Sequence, residues 1–140
     1  MNYKTRDFGE VEIEELKVIE MVQPIFGFDE YKKYTLLHDE EMGTDITWLQ
    51  SLEEQSLRFI LLDPASFAPD YAPAIPDAVA KMLGDGALDC RVIAAIPRDF
   101  KKTTVNMKSP IVINVDTRKG AQIILEQDYP VRCPLMKDGE

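Results

Sequence analysis

The stretch TVNMKSPIVINVDTRKGAQIIL, Thr104–Leu125, carries the clearest β pattern in the chain. Apolar residues fall at Ile111, Ile113 and Val115, with Asn114 and Asp116 between or after them, so alternation puts the first three inward and the polar pair outward. Asp116–Gly120 then reads as a charged hairpin turn, closed by Gly120 at positive φ. A second strand follows in AQIILE. The lead-in Asn106–Ser109 is polar and has no place in this alternation.

Similar segments lie on both sides. Val11–Glu15 alternates, with Val11 and Ile13 on one face. Glu15–Val22 leans to strand. Tyr34–His38 and Ile46–Leu52 are short apolar runs, and Leu57–Asp63 and Arg91–Ile96 are apolar on both faces, the mark of strands covered on both sides. Regular short strands separated by turn signals predict an antiparallel sheet that closes on itself or packs as a sandwich. We expect a mostly β, compact, antiparallel barrel-like single domain over residues 1–140, with one or two short helices. Ile75–Gly84 is the helix expectation. Pro76 and Asp77 stand at its start, Gly84 at its end, and Ile75, Val79, Met82 and Leu83 on one face. Phe28–Tyr34 is expected to form at most one helical turn, capped by Asp29. Asp63–Pro76 holds four prolines and is expected to be an irregular but ordered surface excursion.

The chain has 140 residues, enough for one hydrophobic core, and 45% of them are apolar. With 25 acidic and 16 basic residues its net charge is −9. That sign argues against direct binding of a phosphate backbone and favours encounter with a basic protein. The charged N-terminus shows no signal peptide, and no apolar stretch is long enough to span a bilayer, so a cytoplasmic protein without a membrane partner is expected. Cys90 and Cys133 form no C-x-x-C pair and read as reduced thiols.

Chemistry finds little support. His38 is the one histidine, at the end of a predicted strand, where a surface imidazole is the ordinary reading. Asp39, Glu40, Glu41 and Asp45 do not match an EF-hand loop. Gly84–Asp89 is glycine-rich but follows a helix and lacks the P-loop lysine, so a helix C-cap explains it. No G-x-S-x-G elbow is present. We expect no enzyme, cofactor or metal. A small hydrolase or ligand-binding barrel is the contrary class, and a polar, open barrel interior would favour it.

The C-terminal third resembles the flagellar assembly factor FliW family. The matching positions are Asn106, Lys108, Pro110, Ile111, Asn114, Gly120, Gln122, Leu125, Tyr129 and Arg132. Met107, Ser109 and Cys133 stand where the family commonly has leucine, alanine and histidine. Upstream, Ile46–Tyr71 is similar to the family's Leu-Gln-Ser, strand and Asn-Pro-x-x-Phe pattern, with Asp63 in the asparagine position. Gly27-Phe28 matches a further turn, although Pro24-Ile25-Phe26 replaces Gly-Ile-Pro.

The resemblance implies a barrel-like fold without catalysis and two protein partners. These are the RNA-binding translational repressor CsrA and flagellin, bound in mutually exclusive complexes by a protein that is monomeric when free. The alternative it leaves is a flagellin chaperone without CsrA antagonism. Candidate contact residues are the aromatics Phe26, Phe28 and Phe67, and the least core-like motif positions, Asp63, Pro64, Asn106, Met107, Lys108 and Pro110. Glu12, Glu14 and Glu15, on the outer face of a predicted first hairpin, complete the set by steering a basic partner.

Overall fold

A computed structural model describes residues 2–12, 17–38 and 46–135. Ile13, Glu14, Glu15 and the acidic run 39–45 lie outside the described residues. Eleven strands and one α-helix occur among those described. β1 (Asn2–Lys4) and β2 (Glu10–Glu12) form an antiparallel ribbon. β3 (Ile19–Gln23), β4 (Lys33–Leu37), β5 (Ile46–Ser51), β6 (Arg58–Leu62) and β7 (Leu88–Ala95) pair in succession, each antiparallel to the last. β8 (Thr104–Val105) pairs with the end of β7 and with β11 (Cys133–Pro134). β9 (Ile111–Asn114) pairs with the start of β7 and with β10 (Lys119–Gln122), and β10 pairs with β3.

The ring β3–β4–β5–β6–β7–β9–β10 thus closes into a seven-stranded barrel. Its last seam departs from the expected pairing. The β9–β10 hairpin fills the gap between β7 and β3, and this makes β10 run parallel to β3, with Gly120 opposite Met21. Closure removes the free edges that a sheet of this width would otherwise expose.

The barrel is filled by Ile19, Met21, Ile25, Tyr34, Leu49, Leu61, Ile111 and Ile113, all buried. Phe28, Tyr31 and Phe59 pack against one end, with Phe28 edge-on to Phe59 at 5.2 Å. Among the described residues this interior is packed and apolar, unlike the polar, open interior that a ligand-binding barrel would need. The Tyr34 hydroxyl is a polar group within this cluster. It has no hydrogen-bond partner among the described residues, and burial first, then the charge of Glu53, pushes its pKa up to about 12. Tyr34→Phe is therefore expected to leave stability unchanged or raise it by up to about 1 kcal/mol, read as the urea midpoint.

Outside the barrel, α1 (Asp77–Leu83) lies on β9 and β10. Val79 and Leu83 pack on Val112, Ala121, Ile123 and Leu125, with Ile75 at the edge. Met82, expected on that face, is 41% exposed, because so short a helix buries only the stripe through residues 79 and 83. Gly84 ends the helix at φ +87, as its sequence position suggested.

Two readings of the opening stretch need correction. Asn114 does face away from the barrel interior, but that face is roofed by α1, so Asn114 is fully buried and Val115, past the strand end, is 45% exposed. Gly120 does not close the turn: Arg118 takes the positive φ (62°), so the strand starts earlier than AQIILE. In Phe28–Tyr34 the chain turns without forming a helix, and Asp29 is simply exposed.

Candidate protein-docking surface

The motif residues that drew attention in the sequence separate into scaffold and surface. Asn106 folds a tight corner, its Oδ1 accepting from the N–H groups of Lys108 (3.1 Å) and Ser109 (3.0 Å). Met107 is buried, its N–H donating to the Pro130 carbonyl and its carbonyl accepting from the Tyr71 hydroxyl at 2.7 Å. Lys108 Nζ donates to the Gln127 carbonyl at 2.6 Å. Pro110 is buried and its carbonyl accepts from Ile123 N–H.

The proline-rich excursion is fastened to the same corner. Tyr71 stacks edge-on with Tyr129 at 4.7 Å. Gln127 accepts from Ala74 N–H and donates to the Ala72 carbonyl, and Ala72 N–H donates to the Tyr129 hydroxyl. Burial, with the nearby Cys90 and Tyr129, pushes the Tyr71 hydroxyl well above its ordinary pKa, so it remains a donor. Asp63 caps the 3-10 turn Pro64–Ser66 through Ala65 N–H, Pro64 is buried beneath it, and Phe67 packs into the cluster around Leu62, Val92 and Met107. These side chains give shape to the molecule and offer a partner little apolar area of their own.

Glu12 is exposed on the ribbon. That ribbon is held to the barrel by Phe8 edge-on to Trp48 (5.2 Å), Arg6 N–H to Gln50 Oε1 (3.0 Å) and Asp7 to Arg58 (2.7 Å). Phe28 is half-buried in the barrel mouth. Phe26 is different: it is 51% exposed at the apex of a turn closed by Phe28 N–H to the Ile25 carbonyl, with Gly27 at φ +86. Its own N–H donates to Gln122 Oε1 at 2.9 Å.

Sequence reasoning missed Ile124 as a surface residue. It is 55% exposed between the buried Ile123 and Leu125. Three apolar residues in a row on an extended segment cannot all face one way, and that was the available signal. The Glu53 carboxylate accepts from the N–H groups of Lys32 and Lys33, bonds that hold its pKa below the usual carboxylate range. A folded-state pKa depressed in this way adds stability above the unfolded value and loses it as pH falls through the folded one, so this tie fails only in acid.

Among the described residues no group of three or more His, Cys, Asp or Glu could hold a metal ion. No helix among them is long and apolar enough to cross a membrane. His38 is exposed. Burial pushes the Cys90 thiol up to about 11, away from nucleophilic character.

Fold and surface together define a small closed β-barrel with one external helix, a filled interior and an aromatic clamped on its rim. The family described as FliW protein matches residues 2–135. A flagellar assembly factor FliW from Lachnospira eligens is 39% identical over 142 residues, covering 96% of this chain and 94% of the relative. One from Lachnoclostridium phytofermentans is 38% identical over 137 residues, covering 94% and 88%. A crystal structure of the flagellar assembly factor FliW superposes with a TM-score of 0.92 at 32% identity, over 100% of both chains. The chain belongs to the FliW family.

Proposed function

We propose that this chain is a non-enzymatic cytoplasmic regulator that binds CsrA and flagellin in mutually exclusive complexes. Holding CsrA, it relieves repression of flagellin translation. Newly made flagellin displaces CsrA, which then shuts translation down until secretion of flagellin frees the factor again. The switch is mass action among exclusive complexes and needs no cofactor. The observation that carries this reading is the match to flagellar assembly factors along nearly the whole chain. The net charge of −9 supports a basic RNA-binding partner, which opposite potential would steer into contact.

Calorimetry against purified CsrA and against flagellin tests it. Both are expected to bind at micromolar levels or tighter, flagellin is expected to displace CsrA, and the CsrA titration is expected to weaken as salt rises. Binding of neither protein overturns the reading. Binding of flagellin while a CsrA–RNA complex survives saturating protein would leave a flagellin chaperone instead.

A further inference from the structure

Phe26 follows β3 and Ile124 follows β10, and because these strands are parallel both exposed residues lie at the same end of the ring. Gly120, Gln122 and Ile124 share the inward-facing side of an extended segment, and a Cβ on Gly120 would point at Met21, Ile19 and Ile113. Gln122 therefore closes the barrel interior at this end, and Ile124 stands just beyond it. The Gln122 residue is 4% exposed, and its amide is used at both ends: Oε1 accepts from Phe26 N–H and Nε2 donates to the Ser109 carbonyl at 3.3 Å. Ile25, at 2% exposure, roots the Phe26 turn in the core. Ile123 N–H to Pro110 (3.1 Å) and Leu125 N–H to Lys108 (2.9 Å) fix the segment that carries Ile124. The backbone at both positions is thus fixed before any partner arrives, which lowers the ordering cost of a contact.

The surroundings are acidic. Asp29 and Glu30 follow the Phe26 turn, Glu53 is bonded to the far end of the same loop, Glu54 is its neighbour, and Glu126 lies two residues past Ile124. Lys32 and Lys33 are the exposed cations of that loop, Arg6 stands beside Glu54, and the Lys108 ammonium is taken up by the Gln127 carbonyl, which leaves a small excess of acid. An apolar anchor in an acidic rim suits a basic surface with an apolar recess.

We propose that Phe26 and Ile124 form the apolar anchor of the docking surface for the basic RNA-binding partner. This deepens the function proposed above and rests on it. The test is calorimetry of purified CsrA against the full chain and against the double variant Phe26→Ser/Ile124→Ser, with circular dichroism and a thermal melt to check the fold. Met82→Ser/Val115→Ser, at the other end of the barrel, is the control. The expected result is an affinity loss of tenfold or more for the rim variant, with the control within twofold of the parent. If the rim variant is misfolded, Phe26→Leu and Ile124→Val are titrated instead, and each is expected to lose at least threefold. CsrA binding by the parent that the rim changes leave intact overturns the inference alone. So does a loss confined to flagellin, or a larger loss in the control. A parent that does not bind CsrA at all removes the functional reading and this inference together.

Discussion

Asn114→Ala is expected to destabilise the protein by about 3 kcal/mol, lowering the melting temperature by roughly 10 °C. Asn114 is fully buried where β9 meets the C-terminal end of α1. Its Nδ2 donates to the carbonyls of Leu83 (3.1 Å), Gly84 (3.1 Å) and Asp85 (3.2 Å). Its Oδ1 accepts from the N–H groups of Asp116 (2.8 Å) and Thr117 (3.0 Å). One amide therefore serves the open carbonyls at a helix end and also shapes the β9–β10 turn. Alanine would leave these groups to be satisfied by Thr117 Oγ1, which reaches Leu83 alone, or by partial unravelling toward water. Each net hydrogen bond is worth about 1 kcal/mol, and a stranded buried group costs more, so several losses at one point sum to the stated size. Asn114→Asp separates the two halves of the role. It keeps the acceptor for Asp116 and Thr117 but sets a carboxylate against the three carbonyls. Its folded-state pKa is then raised, so its deficit is expected to shrink as pH falls, whereas the alanine deficit stays level. Urea unfolding of both variants at two pH values decides the matter. A loss below about 1 kcal/mol for alanine would mean that the helix end is held by packing alone.

That residue also marks where sequence reading stops. The strands of the ring were legible because their burial is written locally: Leu57–Asp63 and Arg91–Ile96 are apolar on both faces, and the observed β6 and β7 are covered on both. Asn114 was placed correctly on the face opposite Ile113. Its burial was hidden because the roof over it, α1, is about thirty residues away in sequence, and alternation says nothing about what lies above a face. The same limit applies to the surface. Asn106–Pro110 read as the least core-like part of its motif and a candidate contact segment, yet it is a corner whose partners, Tyr71 and Gln127, lie at long sequence range. Phe26 and Phe28 looked alike around Gly27, yet one fills the barrel mouth and the other stands in solvent, because the turn at Gly27 sends them apart. Local pattern reports which side chains share a face; closure of the ring decides which faces meet water.

The closing seam supplies the second large effect: Gly120→Val is expected to cost about 3 kcal/mol. Local preference argues the other way. Gly120 lies within β10 without a positive φ, and valine in a strand is favoured over glycine by up to about 1 kcal/mol. The packing reverses that sign. A Cβ there would lie 2.8 Å from Met21 Sδ and 3.3 Å from Ile19 Cγ2, inside a barrel already filled by both. Gly120 is directly opposite Met21 in the parallel pair that joins β10 to β3, so the clash falls on the seam that completes the ring. Relief requires Met21 to move, and its neighbours Ile19, Tyr34 and Ile113 are all buried at 1% exposure or less. If crowding is the cause, emptying the opposite position should restore room. Met21→Ala alone is expected to cost about 3 kcal/mol by leaving a cavity. Combined with Gly120→Val, the valine occupies part of that cavity, and the pair is expected to be less damaging than the two changes added together by about 1–2 kcal/mol. Urea denaturation of the four proteins in this cycle measures the coupling directly. Additive losses would show that Gly120 serves something other than the approach of β10 to Met21, and a stabilising Gly120→Val would show that the seam has room to spare.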